Sequence, residues 1–337
     1  MRTLVFVRPG ALEWREAADP VLAGDREALV RPVAATTCDL DQLVIRGQAP
    51  FEGPFAIGHE CVAEVVDLGD AVSGLELGRR VVVTWHIACG ECARCRAGLT
   101  AHCEAVPYGA MFGLPVAGEW GGLFSDLVRI PFAQSMLVPV PDGLDEHALA
   151  SAGDNLALAM ECLASHLEVR PGASVLILGS GSIGLYATEL ARALGAGRVV
   201  YVDRDPLRRE LASVLGAETA DQPPSRKRDA FDLALDAAMD EEWLRIALGL
   251  LEPEGVCECP SIYFKESVAL PLFEMTIRGV SFHTGRGNAG PHIPLLLGLI
   301  ANGTIHPERI TSEVLPWEAA PEALADPSVK PVFVRDT

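Results

Sequence analysis

The short apolar run Ser174–Leu178 passes directly into Gly179-Ser180-Gly181-Ser182-Ile183-Gly184 and then into a helical stretch, Ile183–Leu194. A glycine fingerprint set between a strand and a helix narrows the possible folds more than any other feature of this chain. Gly179 makes a tight turn, Gly181 lets a pyrophosphate approach the backbone, and Gly184 lets the helix pack closely on the strand. The helix start, with Ser182 and Ile183 in its first turn, offers phosphate backbone N–H groups and the positive end of the helix dipole. The pattern then repeats. Arg198–Val202 reads as a strand, Leu207–Leu215 as a helix ending at Gly216, and Phe231–Ala234 as a strand. Glu241–Leu251 reads as a helix and Gly255–Cys259 as a strand. Strands alternating with helices imply an α/β unit with a doubly wound parallel sheet.

Asp203 closes the second strand, nineteen residues past Gly184. A carboxylate there binds the adenosine ribose hydroxyls and repels a 2′-phosphate, which favours NAD over NADP. Arg204 and Arg208 stand close enough to oppose that preference, unless both are solvated helix-start arginines. A dinucleotide unit with no redox role is the competing reading of the whole segment.

The first 150 residues have a different texture. Runs of β type recur at Thr3–Val7, Glu27–Val33, Glu60–Leu68, Arg79–Thr84 and Ser125–Ile130, with turn clusters between them. A partly open β-barrel fits this pattern. Asp145–Leu167 reads as one helix and Gln222–Asp229 as a solvated loop. In the tail, Pro291–Asn302 and Pro316–Ala325 read as helices and Lys330–Val334 as a strand. That strand must pair somewhere, and a return to the first domain is expected. The domains are then 1–150 with 287–337, and 151–286.

Nine cysteines is an odd number, and four of them crowd together. Cys89, Cys92 and Cys95 fall at a strict three-residue interval, and Cys103 follows after seven more residues. Four thiolates in one compact loop can close a tetrahedron around zinc, with Gly90 and Gly98 letting the chain turn. Unrelated thiols or a pair of disulfides fit the regular interval poorly. An iron–sulfur cluster uses similar spacing but is rarer in a loop hanging from a barrel. With four protein ligands, such a zinc is structural.

The formal net charge of −19 argues against nucleic acid or an anionic membrane surface as partner, since both demand a basic face. The N-terminal stretch has no long apolar run and reads as a first strand rather than a signal peptide. A cytoplasmic enzyme acting on a small molecule is the expectation.

Taken together, Gly58-His59-Glu60, the four-cysteine loop, the glycine fingerprint and Phe282-His283-Thr284-Gly285-Arg286 resemble the zinc-containing medium-chain dehydrogenases. That family includes alcohol, sorbitol, threonine and formaldehyde dehydrogenases, and the resemblance spans nearly the whole chain. It implies a GroES-like catalytic domain, a Rossmann domain and an active site in the cleft between them. It also implies two zinc ions per subunit and a homodimer or homotetramer. By the same resemblance, Cys38 and His59 are ligands of a catalytic zinc. Asp154 is the third, in an Asp-Asn-Leu-Ala run where many relatives have Glu-Pro-Leu-Ala. Glu60 would sit behind the metal and approach it transiently. Each residue has a plainer reading: Cys38 as a small buried apolar residue, His59 as a structural histidine, Asp154 as a helix N-cap.

The implied reaction passes a hydride between an alcohol and NAD. The alternative is a redox-neutral zinc and NAD enzyme of epimerase or lyase type, using transient oxidation. A non-enzymatic zinc module is opposed by the charge and by the fingerprint. Candidates for the walls of the cleft are Trp85, His86, Tyr108, Trp120 and Arg286. Arg286 is expected to face cofactor or substrate, with a solvated loop arginine as its plainer reading. One departure stands out. Many relatives carry Ser or Thr two residues after the cysteine ligand, and its hydroxyl starts a proton relay. Here that position is Leu40, and a histidine often found a little further on is replaced by Leu43. A water, a neighbour such as Thr37, Asp39 or His86, or a substrate with its own adjacent hydroxyl must carry the proton instead.

Overall fold

Ser174–Leu178 lies inside a six-stranded sheet, and its apolar residues Val175, Leu176, Ile177 and Leu178 are all fully buried. A strand buried on both faces needs helices on both sides, which is why it reads as a continuous apolar run. Its neighbours are Arg198–Val202 and then Glu218–Ala220 on one side. On the other are Phe231–Asp236, Leu251–Cys259 and Ser281–Thr284, all parallel. In chain order the sheet runs third, second, first, fourth, fifth, sixth, so the order reverses beside the strand that carries the glycine turn. Ligands of such sheets bind outside the strand ends at that reversal. The covering helices are capped as their sequences dictate. Asp205 accepts from the Leu207 N–H at 2.8 Å with Pro206 opening Pro206–Val214, and Asp240 accepts from the Trp243 N–H at 3.0 Å to open Glu241–Leu250. Trp243, Leu244 and Leu248 from the latter helix join Leu176, Leu178, Val200 and Val202 in one core.

The computed structural model describes residues 1–225 and 230–335, so residues 226–229 of the expected Gln222–Asp229 loop lie outside the described residues. The chain divides into two compact units, Leu158–Gly287 and the remainder, Met1–Ala157 with the tail from Asn288.

In the second of these, a sheet runs Glu313–Pro316, Pro331–Val334, Ala28–Thr36, Glu60–Leu68, Arg80–Val83, Leu137–Pro139, with Val128–Ile130 also on Ala28–Thr36. Ala11–Glu16, Arg2–Arg8 and Phe55–Ala56 form a smaller sheet. The tail strand pairs antiparallel with Ala28–Thr36, Val332 opposite Thr36. Its return to the first domain therefore follows from backbone pairing.

Asp145–Leu167 is two helices and not one. Glu146–Leu149 and Asn155–Val169 are separated by a turn. A Cβ on Gly153 would run into the carbonyl oxygen of Val83, so the chain passes flat against that strand. The helix-forming Ala and Leu residues on either side conceal this break, because propensity is local and the close approach is not. The turn is also tied to Glu60, through Ser151 and Asn155, and the division between the two compact units falls after Ala157, inside the second helix. The expected strand Ser125–Ile130 shortens to Val128–Ile130, and Ser125 only bridges to Thr3. The expected helix Pro316–Ala325 is a 3₁₀ turn, Trp317–Ala319, followed by Ala320–Ala323.

Candidate active site

Cys38 ends the extended segment after Ala28–Thr36 and caps the helix Asp39–Ile45. Its sulfur accepts from the Asp41 N–H at 3.4 Å, while the Asp41 carboxylate accepts from the Cys38 N–H at 3.2 Å. This reciprocal cap fixes both side chains. His59 precedes the strand Glu60–Leu68. The backbone before it turns at Gly58, whose φ of +93° suits glycine, and a Cβ there would strike the Phe124 ring. Nδ1 of His59 lies 3.5 Å from the Asp41 carboxylate, and Nε2 lies 3.3 Å from the Asp154 carboxylate. A carboxylate behind an imidazole sets its orientation and leaves the other nitrogen to face a metal. The ligand atoms of Cys38, His59 and Asp154 all lie within 4.8 Å of one another, and all three residues are buried.

The electrostatics of this cluster favour a cation. Burial pushes the Cys38 thiol well above its ordinary range, and the carboxylates of Asp41, Asp154 and Glu60 push it further. Burial alone would hold His59 neutral, yet Asp41 and Asp154 outweigh it and raise its pKa to about 9. A thiol, an imidazole and a carboxylate packed out of water call for positive charge. One thiolate, one imidazole and one carboxylate are a fitting donor set for zinc, with a fourth position left for water or substrate.

Glu60 is fully buried and both its oxygens are engaged. Oε1 accepts from the Ser151 hydroxyl at 2.7 Å and the Asn155 N–H at 2.9 Å. Oε2 pairs with Lys330, also fully buried, whose Nζ donates to the Thr37 carbonyl at 2.8 Å. Moving Glu60 toward a metal would break these bonds, so in this arrangement it positions its neighbours. Lys330 had no sequence signal beyond opening a predicted strand. A lysine heading an apolar strand at the end of the chain is the only trace of its role.

Of the expected cleft residues, Trp85 and His86 lie near this cluster. The Trp85 ring is 6.5 Å from that of His59, and His86 packs edge-on against Trp85 with Nε2 at 2.8 Å from the Thr100 hydroxyl. Tyr108 is 75% exposed and stacks on His102, and Trp120 lines a different recess with Met1, Thr3 and Ala17. Leu40 and Leu43 are half-buried on the helix that Cys38 caps.

The four sulfurs of Cys89, Cys92, Cys95 and Cys103 converge in the same way. All nine cysteines are free thiols. Backbone N–H groups of Cys89, Glu91, Cys92, Cys95, Glu104 and Ala105 donate to the sulfurs of Cys89, Cys92 and Cys103 at 3.3–3.4 Å. Those bonds favour thiolate. The Glu104 N–H is the main cause that lowers Cys92 to about 6. Gly90 and Gly98 take φ of +77° and +81°, the left-handed turns that wrap the loop. A tetrathiolate zinc fits these residues.

In the nucleotide unit, a Cβ on Gly179 would collide with the Tyr201 hydroxyl, and one on Gly184 would lie 3.2 Å from the Gly179 Cα. Gly181 begins the helix Ser182–Ala193 with no side-chain cap, leaving Ser182 and Ile183 in its first turn. Asp203 is 1% exposed and fully engaged. It accepts from the Tyr201 hydroxyl at 2.8 Å, from the Asp205 N–H at 2.8 Å, and from Arg208 through Nε at 2.7 Å and Nη2 at 2.9 Å. Arg204 pairs with Asp240 at 2.8 Å and lies 4.1 Å over the Trp243 ring. Neither arginine is simply solvated. Arg286 is half-buried and lines a recess with Leu158, Cys162 and Cys259.

Residues 24–142 match the family described as the alcohol dehydrogenase GroES-like domain. The solved alcohol dehydrogenase of Thermus sp. ATN1 is 32% identical and superposes with a TM-score of 0.91 over 100% of both chains. A probable zinc-binding alcohol dehydrogenase of Mycobacterium tuberculosis is 27% identical over 96% of this chain and 85% of its own length. The L-galactonate-5-dehydrogenase of Escherichia coli is 33% identical over 62% of this chain and 58% of its own. The chain belongs to the zinc-dependent medium-chain dehydrogenase family and is an oxidoreductase, with a GroES-like domain and a Rossmann domain. These relatives give the redox-neutral alternative no support. No described helix is long and apolar enough to cross a membrane.

The buried ion pair makes a direct prediction. Lys330→Met leaves the Glu60 carboxylate buried without its cation and should cost about 3–5 kcal/mol of stability. Urea denaturation of zinc-loaded protein measures this. Adding Glu60→Gln to Lys330→Met should recover part of the loss.

Proposed function

We propose that the enzyme transfers a hydride between a functionalised secondary alcohol or polyol and NAD. The observation that carries this reading is the buried convergence of Cys38, His59 and Asp154. Zinc held there would supply Lewis acidity toward an alcohol or carbonyl oxygen, and NAD would supply the hydride acceptor. The protein's own groups do the positioning. Asp41 orients His59, the reciprocal cap holds Cys38, and Glu60 braces the turn that carries Asp154. NAD rather than NADP is favoured by Asp203, because its carboxylate already commits Arg208 to a bidentate pair. Phosphate would have to compete for that guanidinium. Free thiols throughout suit a reducing compartment such as the cytoplasm. A homodimer or homotetramer is the assembly expected of such an enzyme, since most soluble oligomers are symmetric assemblies of one chain.

The substrate class rests on the proton. Alcohol oxidation releases one, and Leu40 and Leu43 can neither accept nor pass it. His86 already shares a hydrogen bond with Thr100. The Thr37 hydroxyl is buried with no hydrogen-bond partner among the described residues. A substrate with a second hydroxyl beside the reacting carbon would supply the missing group itself. L-galactonate, for which one relative is named, is a polyhydroxy acid of this kind.

Two measurements test the reading. Steady-state kinetics should show good turnover of vicinal diols or sugar acids and poor turnover of ethanol and 2-propanol, with Leu40→Ser partly restoring the simple alcohols. Brisk oxidation of 2-propanol by the wild type, with a pH profile that His86→Ala leaves unchanged, would overturn the substrate assignment. In equilibrium titrations the wild type should bind NAD more tightly than NADP. Asp203→Ser should raise NADP affinity by about tenfold or more as Arg208 is released. Equal binding of the two coenzymes by the wild type would show that the arginines dominate.

A further inference from the structure

The nucleotide unit contains a second polar cluster that the dehydrogenase chemistry does not use. Glu258, near the end of Leu251–Cys259, stands opposite His283 of the edge strand Ser281–Thr284 in the parallel ladder. Cys257 and Cys259 on either side are buried, so alternation along the strand turns Glu258 to the less covered face. His166 comes from the helix Asn155–Val169, one turn after the buried Cys162. Its Nε2 lies 2.7 Å from Oε1 of Glu258, and Nδ1 of His283 lies 2.8 Å from the same oxygen. The two imidazole rings stack with centroids 6.2 Å apart. The three ligand atoms lie within 4.8 Å of one another, as in the two sites above.

We propose that His166, Glu258 and His283 form a third metal site, for a borderline divalent transition ion such as Zn²⁺, Ni²⁺ or Cu²⁺. Two imidazoles and one carboxylate suit such ions, whereas Mg²⁺ and Ca²⁺ prefer oxygen donors throughout. Bonds of about 2.0–2.2 Å set neighbouring donors roughly 3.0–3.5 Å apart. The two nitrogen–oxygen contacts, at 2.7 and 2.8 Å, therefore need to open by roughly 0.2–0.8 Å. Access is available, since the His283 side chain is 54% exposed and those of His166 and Glu258 are 25% and 16%. Three protein ligands leave open positions on the solvent side, where Glu258 and His283 border the recess that also holds Arg286. Its ligands come from one helix and two adjacent strands, so an ion here would staple the helix to the edge of the sheet. It would stabilise the fold there with no part in hydride transfer.

The test uses the full-length protein, already loaded with zinc and titrated with Ni²⁺ by calorimetry. One further ion per subunit should bind and raise the melting temperature. His283→Ala and His166→Ala should each weaken that binding by at least about tenfold and remove the thermal gain. His283 is exposed enough for its variant to fold. With Cu²⁺ in place of Ni²⁺, electron paramagnetic resonance should show nitrogen couplings from two imidazoles in the wild type and from one in either variant. No additional ion bound at roughly millimolar Ni²⁺ would overturn the proposal. So would an additional ion bound equally well by the His166→Ala/His283→Ala double variant.

Discussion

One buried carboxylate organises the catalytic unit. Glu60 follows His59 in sequence, accepts from Ser151 and Asn155 on either side of Asp154, and pairs with Lys330, which in turn donates to the carbonyl of Thr37, next to Cys38. Three segments far apart in the chain are thus referred to one side chain, and each delivers one member of the cluster. A buried ion pair adds little net stability over apolar residues of similar size, but breaking it is costly. Its effect here is geometric, because a shift of Glu60 would move all three candidate ligands.

The nucleotide unit uses the same device for a different end. Asp203 is held by Tyr201 and Arg208, and Tyr201 also fills the space that a side chain at residue 179 would need. The glycine turn and the Asp203 carboxylate are therefore coupled through one tyrosine. Both oxygens of Asp203 are already engaged, so a ribose hydroxyl would share them with these donors. Its charge is partly neutralised by Arg208, which tempers the repulsion of a 2′-phosphate and makes coenzyme preference a matter of balance between the two side chains.

Features written in local pattern were legible in the sequence. The alternation of strands and helices, the glycine fingerprint, the cysteine spacing and Asp203 each depend on residues within one element or one turn. So does the tail strand, whose apolar run had to pair somewhere. What the sequence concealed depends on contacts between distant segments. The break at Gly153 comes from the carbonyl of Val83, and Ala- and Leu-rich flanks hide it. Lys330 acquires its role only when the tail pairs with Ala28–Thr36 and brings it to Glu60. The edge strands Glu218–Ala220 and Ser281–Thr284 carry too few apolar residues to show a period, and they are exposed. Tyr108 and Trp120 were plausible by type; Tyr108 stacks on His102, and Trp120 borders a recess with Met1 and Thr3.

The central claim is that Cys38, His59 and Asp154 hold a reactive zinc distinct from the four-cysteine ion. Zinc X-ray absorption combined with metal analysis tests it most directly, on protein purified without added metal and with no ion at the surface site. The account predicts two zinc ions per subunit, with an averaged shell of sulfur plus nitrogen and oxygen donors. His59→Ala should leave one zinc in a pure sulfur shell with the fold intact. A single zinc in the wild type, or a second zinc whose shell is unchanged by His59→Ala, would contradict it.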